Sequence, residues 1–129
     1  MNIKQKCATL GQQLGLEVDF HQSNGTKEMC HSITHDSNDY DGLIINPIGC
    51  DHSTNVNSTL FRNALTLIAS LKKTVIEVHI TNIFLPGTDT THPLQVPECN
   101  IGFISGLGIQ SYLLAIKAIN QQILKEVKK

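Results

Sequence analysis

The sequence lacks the features typical of proteins that bind nucleic acids or span membranes. Lys and Arg number 10 against 11 Asp and Glu, so there is no basic excess for a phosphate backbone. A small basic cluster, Lys125 with Lys128 and Lys129, suits the negative end of a terminal helix. No apolar run approaches the ~20 residues of a membrane-spanning helix, and no segment resembles a signal peptide. We therefore expect a cytoplasmic protein whose partners include neither nucleic acid nor membrane.

Cysteine is also used sparingly. The four cysteines stand at positions 7, 30, 50 and 99, and no two of them form a CxxC pair. This pattern is typical of a reduced protein that uses cysteine as a small buried apolar residue. Cys50 lies in a loop beside the candidate site described below, so for this residue a nucleophile remains an alternative interpretation.

The composition and the order of segments predict one α/β domain over residues 1–129. The chain is 40% hydrophobic and 16% charged, which is ordinary for a globular protein. Apolar spacing predicts helices at 3–14, 27–34 and 58–71, with a further helix after Gly108. Short apolar or alternating runs predict strands at 16–20, 43–46, 74–79 and 101–105. Helices that alternate with such strands indicate a parallel sheet covered on both faces.

Two of the predicted strands end in side chains suited to chemistry. Asn46 and His52 follow one strand, and Glu77 and His79 lie near the end of the next. Ligands of open α/β sheets bind outside the carboxyl ends of the strands, so the four side chains predict a shared site. Glu77 and His79 are two residues apart on one predicted strand, so their side chains share a face of it. The alternatives are that Asn46 caps a turn and that the histidines are structural.

A metal site is a separate hypothesis. His31 and His35 are spaced i, i+4 on a predicted helix, and further ligands could come from Cys30, Asp36, Cys50 and His52. The competing interpretation is a solvated helix face, and we expect no metal. The Gly106-Leu-Gly108 pair lacks the third glycine of a dinucleotide fingerprint and predicts a strand-to-helix turn.

Five segments resemble a known family. They are LGLEVDFHQSN (14–24), DGLIINP (41–47), HST (52–54), EVHITN (77–82) and ISGLGIQSYLLA (104–115). In this order and spacing, over nearly the whole chain, they are similar to the type II 3-dehydroquinate dehydratases. The resemblance implies a flavodoxin-like three-layer α/β/α fold, trimers assembled into a dodecamer, and no metal or organic cofactor. It also implies a lyase of the shikimate or quinate pathway, which dehydrates 3-dehydroquinate to 3-dehydroshikimate through an enolate.

The resemblance assigns roles to individual residues. His79 becomes the general acid that protonates the departing hydroxyl, and Glu77 orients its imidazole. Asn46, with the carbonyl of Pro47, positions a water against the enolate oxygen. The remaining roles concern substrate binding. His52 contacts a hydroxyl or the carboxylate of the substrate, and the backbone amides of Ile80 and Thr81 hold the substrate carboxylate. Asn63 stands where the family usually has an Asp that reaches a neighbouring subunit's site.

The chain also departs from the family. The family begins with an internal strand and a lid that carries the tyrosine base, whereas Met1 aligns inside the first helix. We therefore expect a missing first strand, from an incomplete N-terminus, a rearranged sheet or a strand supplied by a partner. Tyr40, in a loop, and Tyr112, on the final helix, do not replace the base.

Two further departures lie inside the chain. The loop at 84–93 has no arginine for the substrate, and about four extra residues fall within 55–58. We expect a weak or inactive dehydratase, because a positioned base alone contributes ~10²–10⁴-fold. The alternative is a non-catalytic, dehydroquinase-like oligomeric or ligand-binding protein.

Overall fold

The computed structural model describes residues 2–23, 25–47, 55–81, 83 and 101–127 of the protein. Helices and strands follow one another along these residues. In chain order they are α1 (Ile3–Leu14), α2 (Thr26–Asp36), β1 (Gly42–Ile45), α3 (Asn55–Ser70), β2 (Thr74–His79), β3 (Ile101–Ser105) and α4 (Gln110–Val127). A short 3₁₀ turn, Ser37–Asp39, follows α2. Within the described ranges no helix is both long and apolar enough to cross a membrane.

The described strands form one parallel sheet in the order β1-β2-β3. Ile45 lies opposite Glu77, and Glu77 lies opposite Phe103, so β2 is the central strand. This position explains why β2 is buried from Val75 to His79. The prediction of a parallel α/β sheet is confirmed.

Helices cover both faces of the sheet. One face packs on α2 and α3 through a cluster that includes Ile45, Val75, Phe61 and Ile68. The other face packs on α4 through Ile76, Val78, Ala115 and Ile119, and α1 lies against α4. Because successive side chains of a strand point to opposite faces, the odd-numbered residues of β2 face α2 and α3 and the even-numbered ones face α4.

Local sequence signals set both ends of α1. The Asn2 side chain accepts from the Gln5 amide, and the Gln5 side chain accepts from the Asn2 amide, which forms a capping box. At the other end Gly15 adopts the left-handed conformation, with φ 76°, and its amide donates to the Gln12 and Gly11 carbonyls. A side chain is strained in that conformation, so glycine suits the helix end.

One predicted strand was wrong. Residues 16–20 have no regular secondary structure; they are not part of the described sheet and do not pair with β1. The Leu16 amide donates to the Gly11 carbonyl at 2.7 Å, which turns the chain back along α1. Val18 then packs on Gly11. Alternation of apolar and polar residues therefore predicted a strand where the chain packs against α1 instead.

The predicted helix boundaries were also too narrow. The helix predicted at 58–71 begins at Asn55, so the extra residues at 55–58 form its first turn. The helix predicted at 27–34 runs from Thr26 to Asp36. Helix ends are the least certain part of a sequence pattern, because apolar periodicity marks the packed middle of a helix and not its polar ends.

Candidate active site

A buried histidine–glutamate pair lies at the carboxyl end of the central strand. His79 Nε2 is 2.5 Å from Glu77 Oε2, and the two side chains are 3% and 2% exposed. A carboxylate only accepts hydrogen bonds, so Nε2 carries the proton of this bond and donates it. The bond fixes the orientation of the imidazole and leaves Nδ1 as the nitrogen that can exchange a proton with a ligand.

Phe103 covers this pair from the β3 side. Its ring centroid lies 5.5 Å from that of His79, at an interplanar angle of 41°. Phe103 is 40% exposed, although it is large and apolar. Exclusion of water strengthens the interaction between the carboxylate and the imidazole.

Asn46 is held by a residue of the final helix. It is the first residue after β1, and its Nδ2 donates to the Tyr112 hydroxyl at 2.8 Å. Tyr112 lies in the first turn of α4 and is half-buried against the apolar cluster on that face of the sheet. Burial raises the pKa of the Tyr112 phenol, and the hydrogen bond from Asn46 opposes this shift only in part.

The structure brings Asn46 and the Glu77–His79 pair to the same edge of the sheet, but on opposite faces. Glu77 and His79 are odd-numbered and face the α2–α3 side, whereas Asn46 reaches Tyr112 on the α4 side. Parallel strands end at one edge, so a ligand that contacts both must lie across the ends of β1 and β2.

The turn between β3 and α4 holds the segment after His79. The Gly106 amide donates to the His79 carbonyl at 3.0 Å, and the Gly108 amide donates to the Ile80 carbonyl at 2.9 Å. The hydroxyl of Ser105 donates to the Thr81 carbonyl at 3.1 Å. Three successive carbonyls are thereby fixed, while the side chains of Ile80 and Thr81 are exposed at the strand end. Gly106 and Gly108 have φ values of 86° and 59°, which confirms that this pair forms a turn.

The other predicted site residues differ in how far the structure describes them. The Pro47 side chain is fully buried, directly after Asn46. Asn63 lies on the exposed face of α3. His52 and Cys50 lie outside the described residues. Cys7 and Cys30 are buried free thiols, and burial raises the pKa of Cys7, in agreement with the structural role predicted for them.

The residues of the metal hypothesis do not converge where the structure describes them. The rings of His31 and His35 are 5.3 Å apart on the exposed face of α2, but Cys30 is buried in the core. Within the described ranges no group of three His, Cys, Asp or Glu side chains could hold a metal ion.

Tyr40 forms a surface cluster of its own. Its hydroxyl donates to Asp19 Oδ2 at 2.7 Å and lies 3.3 Å from His21 Nε2. The hydrogen bond to Asp19, with lesser effects of desolvation and of the charges of Asp19, Asp36 and Asp39, raises the pKa of Tyr40 to about 12. The phenolate of Tyr40 is therefore strongly disfavoured at neutral pH.

The fold and these strand-end side chains define a parallel α/β protein with its candidate site at the carboxyl edge of the sheet. A sequence model of the family described as Dehydroquinase class II matches residues 1–120. The chain belongs to this family, as its motifs predicted.

Similar proteins support the same assignment. A 3-dehydroquinate dehydratase of Wolinella succinogenes is 37% identical over 125 residues, which cover 97% of this chain and 70% of that protein. One from Halothermothrix orenii is 36% identical over 124 residues, or 96% and 78% of the two chains. The crystal structure of the type II dehydroquinase from Butyrivibrio crossotus superposes with a TM-score of 0.72 at 28% identity, covering 92% of this chain and 77% of that one. The flavodoxin-like fold class is thus confirmed.

Sequence reasoning missed Tyr112 as a neighbour of the site. Its place on the final helix argues against a role as the base, and the sequence gives no sign of its contact with Asn46. The signal that could have found it is its position in the first turn after the Gly106–Gly108 turn, because that turn returns the chain to the strand ends.

Proposed function

We propose that the protein acts on 3-dehydroquinate as a hydro-lyase and forms 3-dehydroshikimate and water. The observation that carries this proposal is the buried Glu77–His79 pair at the end of the central strand, in a chain of the dehydroquinase family. The reaction needs no oxidant or co-substrate. A base removes the proton beside the substrate's ketone to form an enolate, and the hydroxyl then leaves as water.

His79 is the proposed general acid for the departing hydroxyl. The Glu77 carboxylate accepts from Nε2, so an imidazolium formed at Nδ1 is stabilised by a fixed negative charge. Both groups lie in a region shielded from water, where such an interaction is stronger than at the surface. After His79 has donated its Nδ1 proton, the neutral imidazole keeps its bond to Glu77 and its orientation.

Asn46 is the proposed hydrogen-bonding group for the enolate. Its carboxamide carries two N–H donors and one carbonyl oxygen, and one donor is bound by Tyr112. In the proposed arrangement Asn46, with the Pro47 carbonyl, orients a water that donates to the enolate oxygen. The substrate spans the ends of β1 and β2, so that Asn46 approaches it from the α4 side and His79 from the α2–α3 side.

The segment at Ile80 and Thr81 is the proposed contact for the substrate carboxylate. Its three fixed carbonyls hold the backbone in one conformation, which supports a preorganised pair of amides. We assign a further substrate contact to His52, and to Asn63 a contact with the site of a neighbouring subunit. Arg62, which is exposed on α3, is the single arginine of the sequence. The loop at 84–93 therefore offers no bidentate contact to the carboxylate, and we expect weak binding.

We further propose that turnover by these 129 residues is slow. Tyr40 and Tyr112 are the two tyrosines of the sequence, and the pKa of each is raised, the opposite of what a tyrosine base requires. A positioned base contributes ~10²–10⁴-fold, and a deficit of this size relative to the Wolinella dehydratase is expected. The same observation favours the second candidate, a dehydroquinase-like protein that binds such a ligand without converting it.

One experiment separates the two candidates. Purified protein is incubated with 3-dehydroquinate, and the conjugated enone of the product is followed by its ultraviolet absorbance, beside a parallel calorimetric titration. Slow turnover supports the dehydratase, and heat of binding without absorbance supports the ligand-binding protein. The absence of both absorbance change and heat of binding at millimolar substrate would overturn both candidate functions.

A homo-oligomer, either a trimer or a dodecamer, is also proposed. Its support is a group of exposed apolar side chains along β3 and the turn after it, namely Phe103, Leu107 and Ile109, of which Leu107 is 52% exposed. Light scattering on a sizing column tests this proposal through the particle mass, with Leu107→Glu expected to reduce it. A monomeric mass for the unaltered protein would contradict it.

A further inference from the structure

We propose that Tyr112 is a positioning residue that fixes the carboxamide of Asn46 at the strand edge. This inference rests on the function proposed above. The bond between Asn46 Nδ2 and the Tyr112 hydroxyl spans 2.8 Å and joins residues 66 positions apart in the sequence. It connects the end of β1 to the first turn of α4.

The phenol oxygen is held in place independently of Asn46. The Tyr112 ring packs against the cluster of Ile76, Val78, Ala115 and Ile119, and its centroid lies 6.4 Å from that of Phe20. The backbone of Tyr112 is held by its amide, which donates to the Ile109 carbonyl at 3.1 Å. A ring fixed by apolar contacts on two sides presents its oxygen at a defined point, so it can orient the side chain that donates to it.

The protonation state of the phenol suits this role. Burial raises the pKa of Tyr112, so the group is neutral at physiological pH. A neutral phenol accepts from Asn46 and keeps its own O–H as a donor. The carboxamide is then fixed in the plane set by this bond, with its oxygen directed away from Tyr112. Loss of this bond removes the link between the Asn46 carboxamide and α4, so more rotamers of the Asn46 side chain become accessible.

The experiment combines Tyr112→Phe with Asn46→Ala and their double variant. Tyr112→Phe keeps the ring and removes the hydroxyl alone. The matched control is Tyr40→Phe, which removes a phenol oxygen bound to Asp19 on the surface. If Tyr112 acts through Asn46, Tyr112→Phe lowers kcat about three- to tenfold with little change in KM, and has no further effect when Asn46 is already Ala. Tyr40→Phe leaves both constants unchanged.

A second readout does not depend on activity. The side-chain amide signals of Asn46, identified by their loss in Asn46→Ala, are followed by ¹⁵N NMR. Tyr112→Phe should shift them and accelerate their exchange with water, whereas Tyr40→Phe should not. Unchanged Asn46 signals in Tyr112→Phe overturn the inference, and so does a multiplicative loss of kcat in the double variant. If the unaltered protein neither converts nor binds 3-dehydroquinate, the proposed function fails, while the NMR result still decides whether Tyr112 fixes Asn46.

Discussion

Asn46 directly follows β1, and His79 is the last residue of the neighbouring β2, but their side chains lie on opposite faces of the sheet. His79 shares its face with Glu77 and Phe103, and Asn46 turns to Tyr112 on the other side. In the proposed site, a ligand that contacts both residues therefore lies across the sheet edge, where residues from both helical layers can approach it.

The two tyrosines provide a direct test of the local electrostatics. The sequence has 2 Tyr and no Trp, so the alkaline ultraviolet titration reports these two phenols alone. We expect both phenols to titrate above the ordinary tyrosine pKa. In Tyr112→Phe the remaining phenol is Tyr40, and its pKa should be about 12. Asp19→Asn should lower the pKa of Tyr40 towards its ordinary value, because the hydrogen bond to Asp19 is the main cause of the shift. A transition at the ordinary value in Tyr112→Phe would show that Tyr40 is free in solution.

The raised pKa of Tyr40 also predicts how stability depends on pH. In the folded protein the neutral phenol persists to about 12, whereas in the unfolded chain it ionises near its ordinary value of 10.0. The unfolded state then binds fewer protons in this window, so the contribution of Tyr40 is fully present below pH 10 and is lost as pH rises towards 12. Urea unfolding across this pH range should show that the free energy of unfolding falls more steeply with pH in the unaltered protein than in Tyr40→Phe. Equal slopes would refute the assignment.

The contact between α1 and the segment after it, residues 16–20, can be tested at Gly11. A Cβ added there would lie 2.5 Å from Val18 Cγ2. Replacement of a helical Gly by Ala normally stabilises by about 0.5–1 kcal/mol, but we expect Gly11→Ala to lower the free energy of unfolding by about 1–3 kcal/mol. The substitution should be harmless in a Val18→Ala background, where the clashing methyl is absent. Chemical denaturation measures the free energy of unfolding of both variants. If Gly11→Ala alone stabilises the protein, Val18 does not pack against Gly11.

Paired substitutions on α3 test the packing of its buried face. Ile68 is fully buried against α2 and the sheet, whereas the adjacent Leu67 is exposed. Ile68→Ala should cost about 2–5 kcal/mol of unfolding free energy, because it removes transfer energy and leaves a cavity. Leu67→Ala should cost less than about 1 kcal/mol in the same urea titration. Similar costs for the two variants would mean that α3 is rotated from its described orientation.

The sequence was informative where a local period decides the structure. Glu77 and His79 are two residues apart on a strand, so their common face followed from the pleat, whereas their contact was expected from the family resemblance. The parallel sheet followed from the alternation of helices and strands, and family motifs added the layer architecture. Each of these inferences needs no knowledge of a distant contact.

The sequence was uninformative where a distant partner decides the structure. Asn46 lies one residue beyond β1, and alternation along the strand does not identify its hydrogen-bond partner, Tyr112, near the other end of the chain. Residues 16–20 alternate as a strand does, but their contacts are with α1, Tyr40 and Tyr112 instead of a neighbouring strand. Periodicity carries no information about which partner a segment meets.

The measurement that tests the central claim most directly is turnover of 3-dehydroquinate by the unaltered protein, by His79→Asn and by His31→Asn. The last is the same substitution at an exposed histidine of α2. We predict slow formation of the enone product that falls at least about 100-fold in His79→Asn, as loss of a general acid requires, and that His31→Asn leaves unchanged. Product formation that survives in His79→Asn would contradict the assignment of the Glu77–His79 pair as the acid of the site.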